Sequence, residues 1–397
     1  MSRGDPSQIN PQLMPQPNAS RTSRRSFIGG SAAAAAALTL GSSFLAACGS
    51  GTDTSSSPNG QGGPASGILR ISNWPLYMAD GFIAAFQTAS GVTVDYKEDF
   101  NDNEQWFAKV KEPLSRKRDI GADLVVPTTF MAVRLHRLGW LNDISDENVP
   151  NKENLRPDLI EASVDPGRKF SAPYMSGLVG IAYNRAATGR DINTVDDLWD
   201  PTFKGQVSLF SDAQDGLGMI MLSQGNTPES PSTEGVQQAI DLVREQNDKG
   251  QIRRFTGNDY AQELTAGNIA VAQAYSGDIV QLQAENPDLQ FVVPEAGGTT
   301  FVDTMVIPYS TRNQQAAEAW INYVYDRANY AKLVAFVQFV PVLSGMTEEL
   351  EKIAPAAASN PLINPPQEIL DRAKAWAMLT DEKAEEFNTA YAAVTGG

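Results

Sequence analysis

The apolar positions change period as the chain is read. Residues 67–74, GILRISNW, alternate apolar and polar side chains as a strand does. ADGFIAAFQTASG then sets Phe82, Ile83 and Phe86 at helical spacing and stops at Gly91, a residue suited to the left-handed turn that closes a helix. VTVDYKED alternates again. This order predicts a βαβ unit with parallel strands and a crossover helix on one face. WFAKVKEPLSRK predicts a second helix, ADLVVPTTF a buried strand with the loop leaving it, and MAVRLHRLGWL a third helix. The alternation predicts an open α/β sheet, in which ligands bind outside the carboxyl ends of the strands.

Trp74 and Tyr77 follow directly on the first strand, and Thr128, Thr129 and Phe130 follow on a later one. The two loops would converge on one crevice. The aromatics there either cap the core or wall a ligand, and the pattern alone leaves both readings open.

KFSAPYMSGLVGIAYN predicts an extended passage from one lobe to another, followed by a helical turn and strand in TVDDLWDPTFKGQVSLFSD. GVQQAIDLVREQND and YAQELTAGN predict helices, IAVAQAYSGDIVQLQAENP a strand leading into a helix, and DLQFVVPEAGG a short strand and turn. TTFVDTMVIPYS is a second long extended stretch, suited to returning the chain to the first lobe, and NQQAAEAWINYVYDRANYAKLVAFVQF supplies two helices. The Pro- and Ala-rich tail from Pro341 holds one predicted helix, around Pro366 to Ala377.

The N-terminus reads as an address. Ser23-Arg24-Arg25-Ser26-Phe27 precedes an uncharged stretch too rich in Ala, Gly and Ser to span a membrane strongly, the pattern of a twin-arginine export signal. It ends at Leu45-Ala46-Ala47-Cys48, which resembles the lipobox at which bacterial lipoproteins are cleaved and lipidated on the cysteine. Residues 1–47 are thus expected to be a signal peptide, Cys48 the lipid-bearing anchor, and 48–66, a Gly/Ser/Pro tract, a flexible tether. The expected location is the outer side of the cell membrane. Cys48 is the only cysteine, so no intrachain disulfide can form. The remaining length exceeds what one core serves, so two domains are expected.

With the four arginines and one aspartate of residues 1–47 set aside, a net charge of −16 becomes −19. Nucleic acid is a poor partner for such a surface and a cation a good one. The single histidine, His136, lies on a predicted helix beside apolar positions and reads as a packed or solvated residue. One Cys and one His allow neither a Cys/His metal cluster nor a Ser-His-Asp triad with a second histidine. There is no G-x-x-x-x-G-K-[ST] loop for nucleotide phosphates, and Tyr183, Tyr260 and Tyr275 form no adjacent pair of the kind an iron site uses. No cofactor, metal or enzymatic activity is expected. Asp212 and Asp215 could serve as a hydrolytic carboxylate pair, but sequence spacing cannot set their separation. Equally, Asp212, Asp215 and Asp278 could complement helix N-termini.

ISNWPLYMADGFIAAF, ADLVVPTTF, DLWDPTFKGQVSLFSDAQD, AYSGD and GGTTFVDTMVIP, in that order, resemble the periplasmic solute-binding proteins of spermidine/putrescine ABC transporters, over Gly67 to about Pro341. The resemblance implies an α/β, type II periplasmic-binding fold: two lobes hinged about a ligand cleft. Residues 67–173 and 304–340 would form lobe 1, and 174–303 with 341–397 lobe 2. It implies a monomeric receptor that delivers a polyamine-like cation to ABC permease subunits. In the family, an aromatic box encloses the ligand's methylene chain and carboxylates hold its ammonium groups. The matching positions are Trp74, Tyr77, Thr128 and Phe130 in the first lobe, the carboxylates Asp212, Asp215, Asp278 and Asp303, and the aromatics Tyr275, Phe301 and Phe339. Leu76 stands where the family often has an acid, Tyr275 and Phe301 where it usually has tryptophan or another aromatic, and Phe339 where tyrosine is common. Related lobes carry other solutes such as opines, thiamine or iron, and a lipid-anchored signalling protein would share much of the pattern.

Overall fold

The computed structural model describes residues 65–396. The predicted twin-arginine leader, Cys48 and nearly all of the tether lie outside the described residues. Among the described residues no helix is long and apolar enough to cross a membrane.

The first sheet has three parallel strands in the order Thr93–Glu98, Ile68–Asn73, Leu124–Val125. The predicted βαβ unit is therefore present, with helix Phe82–Ser90 as its crossover. Alternation along Ile68–Asn73 buries Leu69 and Ile71 and leaves Arg70 at the side, where its guanidinium meets both Asp123 and Asp119 at 2.8–2.9 Å. Phe82 and Phe86 pack edge-on against Trp320 and Tyr323 of helix Gln314–Val324. A segment more than 200 residues downstream thus completes the first core.

The second sheet runs in the order Ala373–Ala375, Gly298–Met305, Ala172–Asn184, Val271–Tyr275, Val207–Phe210, Ile252–Thr256, with Leu289–Val292 also paired to Ala172–Asn184. Ala172–Asn184 is buried along its length except at Asn184, as a central strand covered on both faces must be. Its first residues, Ala172, Tyr174 and Met175, belong to the first core, whereas Val179, Ile181 and Tyr183 belong to the cores of the second sheet. The antiparallel strand Gly298–Met305 makes the reverse passage, ending at Met305-Val306-Ile307 in the first core. Val340 exchanges backbone hydrogen bonds with Ser176, placing a third segment at the same crossing.

The tail differs from expectation. The sequence reading places all of 341–397 with lobe 2, yet Val342, Leu343, Met346, Leu350 and Ile363 pack in the first core, and Trp376, Phe387, Tyr391 and Val394 in the second. The single predicted helix is a short one, Gln367–Arg372, running into strand Ala373–Ala375, which pairs in parallel with Gly298–Thr300. Three further helices accompany it, Met346–Ile353 and the short Pro355–Ala358 before it and Asp381–Thr395 after it.

Candidate functional site

Strand Ile68–Asn73 ends immediately before Trp74, and the chain turns there so that Trp74 and Tyr77 enter one pocket while Pro75 and Leu76 face another cleft. Leu76 takes a left-handed backbone, φ +60°, to make that turn. The Trp74 ring is fixed by its indole N–H, which donates to the Val126 carbonyl at 2.7 Å, and by the ring of Phe100, 4.9 Å away. Tyr77 lies edge-on to Phe339 at 5.1 Å.

The pocket has about 300 Å³ of void space. It is lined by Trp74, Tyr77, Thr128, Asp215, Asn258, Tyr275, Asp278, Phe301, Asp303 and Phe339. Two glycines make room for its aromatic wall. A Cβ at Gly277 would sit 2.0 Å from the Phe339 ring, and one at Gly177 would sit 2.5 Å from Phe301. Tyr275 stacks on Phe210 at 4.6 Å and meets Phe301 edge-on at 5.2 Å.

Three carboxylates share this space, and each accepts from a hydroxyl. Tyr275 donates to Asp215 at 2.7 Å, Tyr260 donates to Asp278 at 2.7 Å, and both Tyr77 and Thr128 donate to Asp303 at 2.7 Å. Thr128 is itself positioned by Asn103, whose amide bonds the Thr128 hydroxyl and backbone N–H at 3.1 Å. Asp278 is 1% exposed, and its Oδ1 has no hydrogen-bond partner.

Among the described residues no Lys, Arg or His lines the pocket. Burial without a counter-charge disfavours the ionised form. Burial accordingly pushes the Asp278 and Asp303 carboxyls up to about 7 and Asp215 up to about 6, against the hydrogen bonds that favour ionisation. Tyr77, Tyr260 and Tyr275 are pushed well above their ordinary range by burial and the adjacent carboxylates, so they remain donors. The arrangement can accept a cation into a desolvated, aromatic-sided slot.

Two predicted site residues stand elsewhere. Asp212 caps helix Ala213–Ser223, accepting from the backbone N–H of Gln214 and Asp215, so its carboxylate is occupied by the helix. Burial, with Asp215 beside it, holds its own carboxyl well above the usual range. Phe130 belongs to helix Thr129–Arg137, which turns its ring toward a crevice shared with Arg134, Leu379 and Asn388. His136 is exposed and stacks on Phe170 at 3.8 Å, away from the pocket. Asn258 in the lining, and Tyr260 and Asn103 behind it, are not among the expected site residues; Tyr260 is named from sequence only among tyrosines that form no iron pair.

A family model described as bacterial extracellular solute-binding protein matches residues 81–364. The chain belongs to that family. It is 25% identical over 307 residues to the spermidine/putrescine-binding periplasmic protein 1 of Haemophilus influenzae, covering 77% of this chain and 83% of the relative. It is 28% identical over 344 residues to the putrescine-binding periplasmic protein PotF of Escherichia coli, covering 81% and 89%. In fold it is similar to the crystal structure of the TpPotD lipoprotein of Treponema pallidum, with a TM-score of 0.68, 24% identity, and 83% and 99% of the two chains covered. The α/β two-lobe architecture is that of this group of binding proteins.

Proposed function

We propose that this protein captures a short polyamine-like cation in the pocket between Trp74 and Asp278 and delivers it to the permease of an ABC importer. One observation carries the reading: two buried carboxylates, Asp278 with an orphaned oxygen and Asp303, and the half-buried Asp215 line an aromatic slot that has no basic side chain. A polyamine is an apolar rod with cationic ends, and this lining is its complement. Each cation-π contact contributes roughly 0.5–2 kcal/mol and each charge-assisted hydrogen bond roughly 1.5–3 kcal/mol. Two or three of each reach micromolar affinity or better after immobilisation costs. The names of the relatives, spermidine/putrescine-binding and putrescine-binding, agree with this chemistry.

Mechanistically, Asp278 and Asp215 hold ammonium groups through their free oxygens, Asp303 supplies charge from a carboxylate already held by Tyr77 and Thr128, and Trp74, Tyr275, Phe301 and Phe339 cover the methylenes. The protein performs no covalent step. With Asp212 occupied as a helix cap, Asp212 and Asp215 are not two free carboxylates flanking a bond to be hydrolysed. The twin-arginine pattern and the lipobox ending at Cys48 support export and lipid anchoring. Closure of the lobes on the ligand would be the signal that the permease reads.

The test is isothermal titration of residues 65–397 with putrescine, cadaverine, spermidine, amino acids and sugars. Heat from a polyamine at micromolar concentration or tighter, weakened by roughly 1.5–3 kcal/mol in Asp278→Asn, is expected. Silence from every amine overturns the ligand class, and unchanged affinity in Asp278→Asn removes that carboxylate from the site.

A further inference from the structure

Beside the pocket lies a second, open cleft of about 1180 Å³, lined among others by Leu76, Glu98, Asn101, Asp259 and Leu282. Asn258 is the one residue common to the linings of the pocket and the cleft. On the opposite side the partition is the Trp74–Tyr77 turn, whose end residues face the pocket and whose middle residues, Pro75 and Leu76, face the cleft. The Asn258 backbone N–H donates to the Asn101 carbonyl at 3.0 Å, and its side-chain amide reaches Asp278 Oδ2 at 3.5 Å. The backbone bond fixes where the residue stands; the side chain, held only by that long contact, lies where the two spaces meet.

We infer that Asn258 sets the length of ligand this site accepts, its side chain closing the pocket against the outer cleft so that a diamine fits and a longer polyamine does not. The inference rests on the cation reading above and adds the residue that decides among cations. Removing the side chain would join the pocket to a cleft that already offers a carboxylate at Glu98, exposed at the end of its strand, for the distal ammonium of a triamine. Substitution leaves the Asn258 backbone bond to Asn101 in place, so the wall can be removed without unfastening the loop.

The experiment measures putrescine and spermidine affinity by titration calorimetry for the wild type, Asn258→Ala, Asn258→Leu and Asn258→Ala with Glu98→Gln. The wild type is expected to prefer putrescine. Asn258→Ala narrows that preference at least tenfold through a gain in spermidine affinity, Asn258→Leu, which restores bulk without the amide, keeps the wild-type ratio, and Glu98→Gln removes the gain. A wild type that prefers spermidine, a ratio shifted less than tenfold in Asn258→Ala, or a shift arising only from weaker putrescine binding overturns the inference while leaving the cation reading intact. Persistence of the spermidine gain in the double variant removes Glu98 as the distal partner, and loss of the wild-type ratio in Asn258→Leu shows that the amide, not the wall, discriminates and overturns the inference. No binding of any amine by the wild type overturns both readings together.

Discussion

The Tyr77 hydroxyl donates to Asp303 at 2.7 Å across 226 residues of sequence. One partner sits on the turn after the first strand and the other on the strand that returns the chain to the first core, so the bond ties the pocket wall to the crossing segment. Thr128 donates to the second oxygen of the same carboxylate.

Tyr77→Phe keeps the ring that packs on Phe339 and removes only the donor. An unsatisfied buried acceptor costs roughly 1–3 kcal/mol. The variant is expected to melt lower by that amount and to bind its cation more weakly, because the Asp303 carboxyl, deprived of a donor, becomes harder to ionise. Thermal melts with and without ligand, compared with Thr128→Val at the other oxygen, test this. Wild-type stability in both variants would show that Asp303 draws no support from either hydroxyl.

The raised carboxyls give the pocket a pH dependence with a definite sign. Asp278 and Asp303 near 7 and Asp215 near 6 bind protons in the folded chain over a window where the unfolded chain, near 3.9, does not. Their contribution to stability is fully present below about pH 4 and is lost as pH rises through about 6 to 7. Asp119 and Asp123, lowered by Arg70 despite their burial, act in the opposite sense but only in acid, below the usual carboxylate range. A cation needs the ionised form, so ligand affinity must rise over the window in which the ligand-free protein weakens. Melting curves from pH 5 to 8 should show ligand stabilisation growing with pH, and the growth should flatten in Asp278→Asn. Stabilisation that is constant over that range would mean the carboxylates do not exchange protons for ligand.

The relation between sequence and site can be argued from single residues. Trp74 and Tyr77 are legible because large aromatics directly after a strand, at the carboxyl edge of a parallel sheet, stand where such sheets bind ligands. Asn258 and Asn103 are not, because a polar residue in a turn or at a helix start has many ordinary reasons to be there, and only the fold brings one beside Asp278 and the other beneath Thr128. Phe130 follows the aromatic pattern by position, but helix Thr129–Arg137 begins one residue earlier and carries the ring away. Helix Ala213–Ser223 is legible only at its start, where Asp212 and Asp215 read as partners of a helix N-terminus; Gly216 and Gly218 within it look like loop residues. They are close-approach positions: a Cβ at Gly216 would lie 2.6 Å from the Tyr391 hydroxyl, and one at Gly218 2.4 Å from Thr299. The packing of the tail against both cores depends on contacts hundreds of residues apart, which no local period records.

Gly257, on a loop of the second sheet, lies against the backbone of Asn101 on a loop of the first. A Cβ there would lie 2.2 Å from the Asn101 carbonyl oxygen, a distance no side chain can share with a main-chain atom. The adjoining Asn258 N–H donates to that same carbonyl at 3.0 Å, so the gap cannot widen without breaking the bond. Gly257 has no positive φ, and alanine fits its own backbone. Gly257→Ala is therefore expected to act as a wedge between the two loops, breaking the Asn258–Asn101 bond and displacing Asn258 at the pocket edge while leaving each core unchanged. Ligand affinity should fall at least tenfold while the ligand-free melting temperature falls by only a few degrees, and small-angle scattering should lack the ligand-induced compaction expected of the wild type. Wild-type affinity with normal compaction would mean that the Asn101–Gly257 approach is not needed for closure.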